Sequence, residues 1–438
     1  MSEPRYGRST RQADPTRIST WSAPAAAAAG QVVRPLELAH AEKEHVLNRA
    51  LDEYCQLQEQ GSKVSPSQFC DRYPSYRHSL RRLIDVQDVL EGVEIDEFDW
   101  PPVGAEFMGF HLLGELGAGA IARVYLAIQP ELGGRFVALK VSHGRGDEAN
   151  TLGKLSHPYV VPVYSVAYDP QSQLNVVCMP YQGSATLADV LDLAFVSKRP
   201  PRLADVILEA GRRREEFVPT KSSDKKQRAV HPVLMRGSYV DGVALLGQQI
   251  AEALAYTHAQ KILHRDLKPS NVLLRPDGVP MLLDFNLSID LSTEQTRVGG
   301  TLPYMPPEQI RDVHVQPFHK DRLDDPRSDL FSLGVILYEL LTGRLPFGDP
   351  PSQIPPREAA EAYLAKQQQP PTPLRQLNPA VDRHLATLVH RCLELDVQLR
   401  PASAQELVDS LRQHFSMLRS AKRWSRRHFL VSSAAALG

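Results

Sequence analysis

A change of hydrophobic pattern near residue 181 limits the folds open to this chain. Between 110 and 180, short apolar runs rich in β-branched residues alternate with glycines and polar turns, which predicts five antiparallel strands: FHLLGEL, AIARVYLAI, GRFVALKV, VVPVYSVAY and LNVVCMP. Beyond 181 the apolar residues recur at helical spacing, and DLFSLGVILYELLTG is apolar enough for a buried helix. We therefore expect an α+β fold of two lobes, an antiparallel β lobe at 110–180 and a mainly helical lobe at 181–415.

Further segments lie outside these lobes. Residues 1–35 mix Arg, Ser, Thr, Pro and Ala without periodicity, which is typical of disorder. Within 36–100, apolar residues at helical spacing and the Ser65-Pro66 helix-start signal predict a small helical module of unknown role. Residues 416–438 form a basic tail whose apolar end is shorter than the ~20 residues of a membrane span, so membrane association through it is not favoured.

Two polar stretches interrupt the helical lobe. Residues 196–237 are rich in Lys, Arg, Glu and Pro, and residues 311–327 are polar with His and Asp. Solvated surface insertions of unknown role are the expectation for both, rather than dedicated docking sites.

Composition excludes several classes of protein. The formal net charge is -1, whereas a nucleic-acid-binding domain is usually basic, so no nucleic-acid partner is expected. The four cysteines are scattered without a C-x-x-C pair, which argues against a zinc ribbon or a disulfide framework and fits a reducing compartment. Because the N-terminus carries no export-signal pattern, we expect a cytoplasmic protein.

The first three predicted strands carry features suited to binding phosphate. Gly117 and Gly119 lie at a turn between strands, where missing side chains let backbone N–H groups approach phosphate oxygens, although such turns are often purely structural. Lys140 lies within an apolar strand, where an ammonium is costly unless it meets an anion; a lysine at a surface edge is the alternative.

A second group of polar residues follows in HRDLKPSN, which lies between two apolar runs. It places a carboxylate, an ammonium and an amide close together, at Asp266, Lys268 and Asn271, with no obvious structural purpose. Asp284 follows the next apolar run, after an Asp-Gly turn that predicts a β-hairpin. Phosphoryl transfer needs groups of these kinds to hold phosphates, neutralise charge and aim an acceptor hydroxyl.

Together with VALK, LLDFN and GGTLPYMPPEQ, these motifs resemble the eukaryotic-type protein kinase family from about Phe110 to His414. A lysine two residues after the aspartate, as at Lys268, resembles the serine/threonine group of that family. The resemblance implies that Asp266 orients the acceptor hydroxyl or takes its proton, and that Lys268 stabilises the transferring phosphoryl group. Asn271 and Asp284 would hold Mg²⁺.

The resemblance also implies ATP as cofactor. Lys140 would pair with the phosphates of ATP and with Glu148 on a helix. The adenine base would enter an apolar slot, called the base slot here, with Met179 at the gatekeeper position. The full set of implied nucleotide contacts is Leu116, Gly117, Ala118, Gly119, Ala120, Ala122, Val124, Ala138, Lys140, Met179, Tyr181, Leu273 and Asp284.

Scaffold roles follow from the same resemblance. Glu308 would form an ion pair with Arg400. Asp329, on the buried helix, would brace the catalytic loop, which is the HRDLKPSN segment that carries Asp266. Thr301 matches the threonine that contacts the catalytic Asp and Lys in serine/threonine kinases.

The sequence therefore predicts a serine/threonine protein kinase of bacterial style, which phosphorylates Ser/Thr hydroxyls of proteins and, through the activation-segment candidates Ser288, Ser292, Thr293 and Thr296, itself. Ala122 and Asn286 stand where the family has glycine, and the Lys140–Glu148 connection is short. These departures favour the alternative of a pseudokinase or nucleotide-binding scaffold. An interaction protein acting through its helical module and insertions is a second alternative.

Overall fold

The computed structural model describes residues 46–58, 60, 64–90, 100–118, 122–143, 153, 155–212, 229–285, 302–315, 325–351 and 354–415. The strands are β1 (Glu106–Phe107), β2 (Phe110–Ala118), β3 (Ala122–Gln129), β4 (Arg135–His143), β5 (Ser165–Asp169), β6 (Leu174–Pro180), β7 (Val272–Leu274) and β8 (Pro280–Leu282). The helices are α1 (46–58), α2 (Pro66–Cys70), α3 (Arg77–Leu90), α4 (Leu187–Ala194), α5 (Asp205–Arg212), α6 (Pro232–Arg236), α7 (Tyr239–Ala259), α8 (Pro307–Ile310), α9 (Arg327–Thr342), α10 (Pro356–Gln367), α11 (Leu374–Leu377), α12 (Arg383–Cys392) and α13 (404–415).

The first lobe is one antiparallel sheet with strand order β1-β2-β3-β4-β6-β5. Alternate residues of β4 are buried, so one face of this strand packs on the core of the lobe while the other turns away from it. The five predicted strands are confirmed, and β1 is additional. β5 begins only at Ser165, because Pro162 lies in the first half of VVPVYSVAY and has no N–H to donate to a ladder.

The second lobe is built around α9, whose residues from Asp329 to Thr342 are all buried, as the sequence predicts. Gly343 ends this helix in the left-handed region at φ 68°, where a side chain would also meet the ring of Phe195. α7 runs beside α9 and begins with a reciprocal cap between Ser238 and Asp241. This buried pair of helices is the platform on which the polar residues of the β7–β8 region rest.

The insertion predicted at 196–237 is only partly what the sequence suggests. α5 and α6 lie within it, and Ile207, Leu208 and Leu234 are buried in the main core. The prediction of a solvated loop is wrong for these helices, because their apolar residues fall on one face and are hidden among charged neighbours. Residues 213–228 lie outside the described ranges.

The stretch at 311–327 also begins inside the fold. Arg311–Val315 is a π-helical turn that continues α8, and Asp312 and Val313 are buried, so the loop prediction is wrong there too. Residues 316–324 lie outside the described part of the chain.

The helical module is confirmed as three helices with a small core of their own, formed by Leu47, Ala50, Tyr54, Phe69, Cys70, Leu80 and Ile84. α2 begins at Pro66, and the hydroxyl of Ser65 accepts the N–H of Gln68. The module packs through α3 on α4 of the helical lobe. The predicted disorder at 1–35 and the tail at 416–438 lie outside the described residues, among which no helix is both long and apolar enough to cross a bilayer.

Candidate active site

Three predicted side chains meet in the loop between α7 and β7. The carboxylate of Asp266 lies 2.8 Å from Nζ of Lys268, and it accepts a 2.9 Å hydrogen bond from Nδ2 of Asn271. The same Nδ2 donates to the backbone carbonyl of Asp266 at 2.8 Å, so the asparagine closes the loop on itself. The aspartate is thereby held in one orientation by two donors, with an ammonium beside it.

Asp329 braces this loop from α9, as predicted. Its two carboxylate oxygens accept the backbone N–H groups of His264 and Arg265, both at 2.9 Å. Nε2 of His258, at the end of α7, lies 2.8 Å away. Burial opposes ionisation of Asp329, but the hydrogen bond and charge of His258 outweigh it, so the pKa of this carboxyl lies below its ordinary value. The brace holds Arg265 at φ 62°, a conformation that non-glycine residues rarely adopt.

Lys140 and Asp284 form a pair that joins the two lobes. Nζ of Lys140, on β4, lies 2.9 Å from Oδ1 of Asp284, which follows β8. Burial would raise the pKa of Asp284, but the adjacent Lys140 charge outweighs it and the pKa is lowered. Next in the chain, the Phe285 ring packs 4.8 Å from the ring of His264, a residue whose own pKa is lowered by burial.

The two expected metal ligands lie on adjoining segments. The N–H of Leu283, just before Asp284, donates to the carbonyl of Asn271 at 2.9 Å. Among the described residues no group of three or more His, Cys, Asp or Glu could hold a metal by itself. One amide oxygen and one carboxylate suit Mg²⁺, which commonly takes one or two protein ligands and completes its shell with phosphate and water. The donor set therefore fits a magnesium–nucleotide complex better than a metal held by protein alone.

The expected base-slot residues fall into two neighbouring apolar groups. Ala138 and Met179 are partners across β4 and β6, and Met179 lies in one buried cluster with Leu273. Leu116 and Tyr181 pack together against a second cluster of β2 and β3. These five predicted residues thus lie in or against two buried apolar clusters or pair with a member of one. The sixth, Val124 on β3, is the cross-strand partner of Lys140 on β4.

The predicted phosphate loop is described at its two ends. Gly117 pairs with Val124, Ala118 ends β2, and Ala122 opens β3. A Cβ at Gly117 would meet nothing within 4 Å, so neighbouring protein atoms do not require glycine there. The use predicted from the sequence, in which a phosphate comes close to the backbone here, stays a prediction.

Several predicted residues lie outside the described ranges and stay predictions. They are Glu148, Gly119, Ala120, Asn286, Thr301 and the candidate acceptors Ser288, Ser292, Thr293 and Thr296.

The predicted pair of Glu308 and Arg400 is confirmed. Nη1 and Nη2 of the arginine lie 2.7 and 2.9 Å from the two carboxylate oxygens. The Arg400 side chain is 0% exposed and also donates to the carbonyls of Glu394 and Arg327. This fork anchors the start of α8 to the base of the helical lobe.

Sequence reasoning missed three contacts, two that support the loop carrying Asp266 and one between Tyr304 and α9. His258 was not identified as a partner of Asp329, and Gln309 Nε2 donates to the carbonyl of Arg265 at 2.7 Å. The third is the hydrogen bond from the Tyr304 hydroxyl to Glu339, at 2.8 Å. A titratable residue in an otherwise apolar helix, as Glu339 is in α9, was the signal available for the third contact.

Comparisons with known proteins agree with this geometry. Residues 235–411 match the family model described as protein kinase domain. The chain is 32% identical over 334 residues to serine/threonine-protein kinase pkn2 of Myxococcus xanthus, covering 70% of this chain and 33% of the relative. It is 32% identical over 314 residues to the DNA damage-responsive serine/threonine-protein kinase RqkA of Deinococcus radiodurans, covering 68% and 38%. The chain thus spans between a third and two fifths of the length of these curated relatives.

Proposed function

We propose that this chain, which belongs to the bacterial branch of the eukaryotic-type serine/threonine protein kinase family, transfers the γ-phosphate of ATP to serine and threonine hydroxyls of proteins. The proposal covers ATP and Mg²⁺ as cofactors and protein substrates as partners, including a second copy or another part of this chain.

The observation that carries the proposal is the arrangement around Asp266. A carboxylate that accepts from Asn271 and lies beside the Lys268 ammonium is held in one orientation, as a group that receives a hydroxyl proton must be. The loop bearing it is fixed by the buried Asp329, and Arg265 is held in an uncommon conformation. Backbone strain of this kind persists where the surrounding structure enforces it, and it concentrates at functional sites.

Each residue then has a distinct task. When bound, Mg²⁺-ATP would supply the transferable phosphoryl group together with the cation that neutralises its charge. Asp266 would orient the acceptor hydroxyl and take its proton, while Lys268 would provide positive charge where negative charge develops. Asn271 and Asp284 would be the metal ligands, and Lys140 would hold the phosphates from the β lobe.

The test is transfer of labelled γ-phosphate to the protein itself and to a generic basic protein, comparing wild type with Asp266→Asn. We expect phosphoserine or phosphothreonine from wild type and a loss of at least about 100-fold in the variant, because general-base catalysis contributes about that much or more. Asp409→Asn, an exposed carboxylate on α13, is the matched control and should keep full activity. ATP binding by wild type without any transfer would instead establish a nucleotide-binding scaffold.

Autophosphorylation has its own test. Arg265 adjoins Asp266, and an arginine at that point is suited to pair with a phosphate introduced nearby. We expect mass spectrometry of active enzyme to find phosphate on Ser288, Ser292, Thr293 or Thr296, and to find none on the Asp266→Asn protein. Active enzyme without phosphate between Asp284 and Thr301 would contradict this part of the proposal.

A further inference from the structure

The helical module is tied to the kinase lobe by a buried carboxylate. Asp192 of α4 accepts the backbone N–H of His78 at 2.7 Å and that of Ser79 at 3.3 Å, and it also accepts the Ser79 hydroxyl. Only 5% of Asp192 is exposed. The first N–H groups of a helix need acceptors, normally from a local cap. Here the cap of α3 is Asp192, which belongs to the helical lobe of the kinase. The first N–H groups of α3 therefore have this acceptor only when the module is docked.

The same helix start reaches a second buried carboxylate. Oε1 of Glu339, near the end of α9, lies 3.4 Å from Nδ1 of His78, and its Oε2 accepts the Tyr304 hydroxyl at 2.8 Å. Glu339 is 4% exposed. One carboxylate therefore lies between the module and the segment 302–310, contacting both.

Segment 302–310 is in turn fixed beside the catalytic loop. The hydroxyl of Ser332 donates to the carbonyl of Tyr304 at 2.8 Å, and Gln367 donates to the carbonyl of Met305 at 3.0 Å. Gln309 donates to the carbonyl of Arg265, the neighbour of Asp266. The position of Tyr304 is therefore coupled by a short series of contacts to the loop that carries Asp266.

We propose that His78 is a positioning residue for protein substrates: by docking on the kinase lobe, the helical module fixes the Glu339 carboxylate against Tyr304 and thereby holds segment 302–310 in place beside the catalytic loop. This inference rests on the proposed kinase function and gives the module a role in it. The reason is electrostatic, because a buried carboxylate is costly unless donors and positive charge compensate it.

The charges around His78 support that role. Burial alone would lower its pKa, but the hydrogen bond and charge of Glu339 on α9 and the charge of Asp192 on α4 outweigh burial. Arg77, on its own helix, acts against the shift, and the net result is a raised pKa. The cationic form of His78, which compensates Glu339, is therefore favoured by the docked arrangement.

Two further ion pairs lie at the edges of the module. Lys198 lies 2.6 Å from Asp71, and Arg81 lies 3.4 Å from Asp349. The pair of Lys198 and Asp71 is exposed on both sides and contributes little to stability, and the Asp349 side chain is 44% exposed. The buried contacts of Asp192 and Glu339 are thus the main ones for docking, and His78 is the module side chain that meets the carboxylate shared with Tyr304.

The experiment measures KM and kcat of the full chain for a generic protein substrate and for ATP. Hydrolysis of ATP, in which water takes the place of the protein hydroxyl, is a separate readout. Without the His78 contact, Glu339 is no longer held against Tyr304, so we expect His78→Ala to raise KM for the protein about 10- to 100-fold, the change that loss of one charge-assisted contact produces. KM for ATP and ATP hydrolysis should stay unchanged. His78→Asn keeps an N–H donor near the position of Nδ1 but supplies no positive charge, so it should bring the protein KM only part of the way back to the wild-type value.

Controls separate positioning from folding. Arg72→Ala removes a module residue that pairs with Glu53 inside the module, and it should leave every constant unchanged. Tyr304→Phe should raise the protein KM, and combining it with His78→Ala should add little, because both act through Glu339. Equal protein KM in wild type and His78→Ala, full additivity, or a matching rise in KM for ATP would overturn the inference. Absence of transfer by wild type would instead remove the proposed function itself.

Discussion

Among the described residues, buried charges persist where donors and counter-charges surround them. Arg400 is enclosed completely, and its guanidinium meets the Glu308 carboxylate and three backbone carbonyls. Asp329 meets two backbone N–H groups and His258. In both cases the charged group holds backbone segments of the helical lobe together through its hydrogen bonds.

Replacing Arg400 with methionine tests the first case. It leaves Glu308 without its counter-charge, and we expect the free energy of unfolding to fall by about 3–5 kcal/mol, measured by urea denaturation. The double variant Arg400→Met with Glu308→Met should recover most of this loss, because no uncompensated charge remains. Arg357→Met, which breaks an exposed pair with Glu361 on α10, should change little. A double variant as unstable as the single one would contradict this account.

Replacing Asp329 with asparagine tests the second case through pH. The amide keeps one acceptor oxygen for three donors, so we expect a loss of roughly 1–3 kcal/mol in unfolding free energy near pH 7. The folded pKa of Asp329 is lowered, so its contribution is full above the unfolded value of about 3.9 and is lost as pH falls through the folded pKa. The difference between wild type and variant should therefore shrink on acidification, which thermal unfolding at stepped pH would measure. A difference independent of pH would show that ionisation of Asp329 is not what stabilises the loop.

At the scale of elements, close approach decides which residues are tolerated. Gly211, near the end of α5, lies so near the turn between β7 and β8 that a Cβ there would be 2.7 Å from the backbone oxygen of Arg275. Backbone cannot swing aside as a side-chain tip can, so this contact fixes the distance between α5 and the hairpin that precedes Asp284.

Gly211→Ala should therefore destabilise the protein even though alanine favours helices. We expect a loss of about 1–3 kcal/mol from overpacking, read from the midpoint of guanidinium unfolding at unchanged slope. Gly114→Ala is the matched control, because a Cβ there meets nothing within 4 Å and φ is ordinary. Equal stability of Gly211→Ala and wild type would mean that α5 does not pack on the hairpin.

Elements and residues were predictable from the sequence to the extent that their causes are local. Asp266, Lys268 and Asn271 lie within six positions of one another, so their meeting follows from the loop alone. The buried helix α9 and the hairpin at the Asp-Gly turn could be predicted for the same reason, because their signals are local. The packing of Ile207 and Leu234 was not, because charged neighbours hide their spacing and their partners are distant in sequence.

Contacts between distant segments needed either the family resemblance or the structure. The pair of Glu308 and Arg400 came from the resemblance, since nothing local links residues so far apart. The approach of His78 to Glu339 had neither signal, because it depends on how the module docks on α4 and α9.

At the scale of the whole molecule, the pair of Lys140 and Asp284 connects the β lobe to the helical lobe across the proposed nucleotide site. A nucleotide that contacts Lys140 of the β lobe, together with a cation bound at Asp284 of the helical lobe, would stabilise both lobes at once. Binding to the folded protein alone raises its stability by an amount set by ligand concentration and affinity. The two contributions can be separated, because only one of them needs the carboxylate.

Thermal unfolding of the full chain with ATP, in Mg²⁺ or in a chelator, makes this separation. At a ligand concentration 100 times Kd we expect a gain of about 2.7 kcal/mol for wild type, with a clear increment due to Mg²⁺. Asp284→Asn should lose that increment and keep a shift with ATP alone, because its Lys140 remains available to the phosphates. Asp409→Asn should retain both shifts, as its carboxylate lies on the exposed face of α13. An undiminished Mg²⁺ increment in Asp284→Asn would mean that the cation is held elsewhere and that Asp284 serves the lobes as the partner of Lys140 alone.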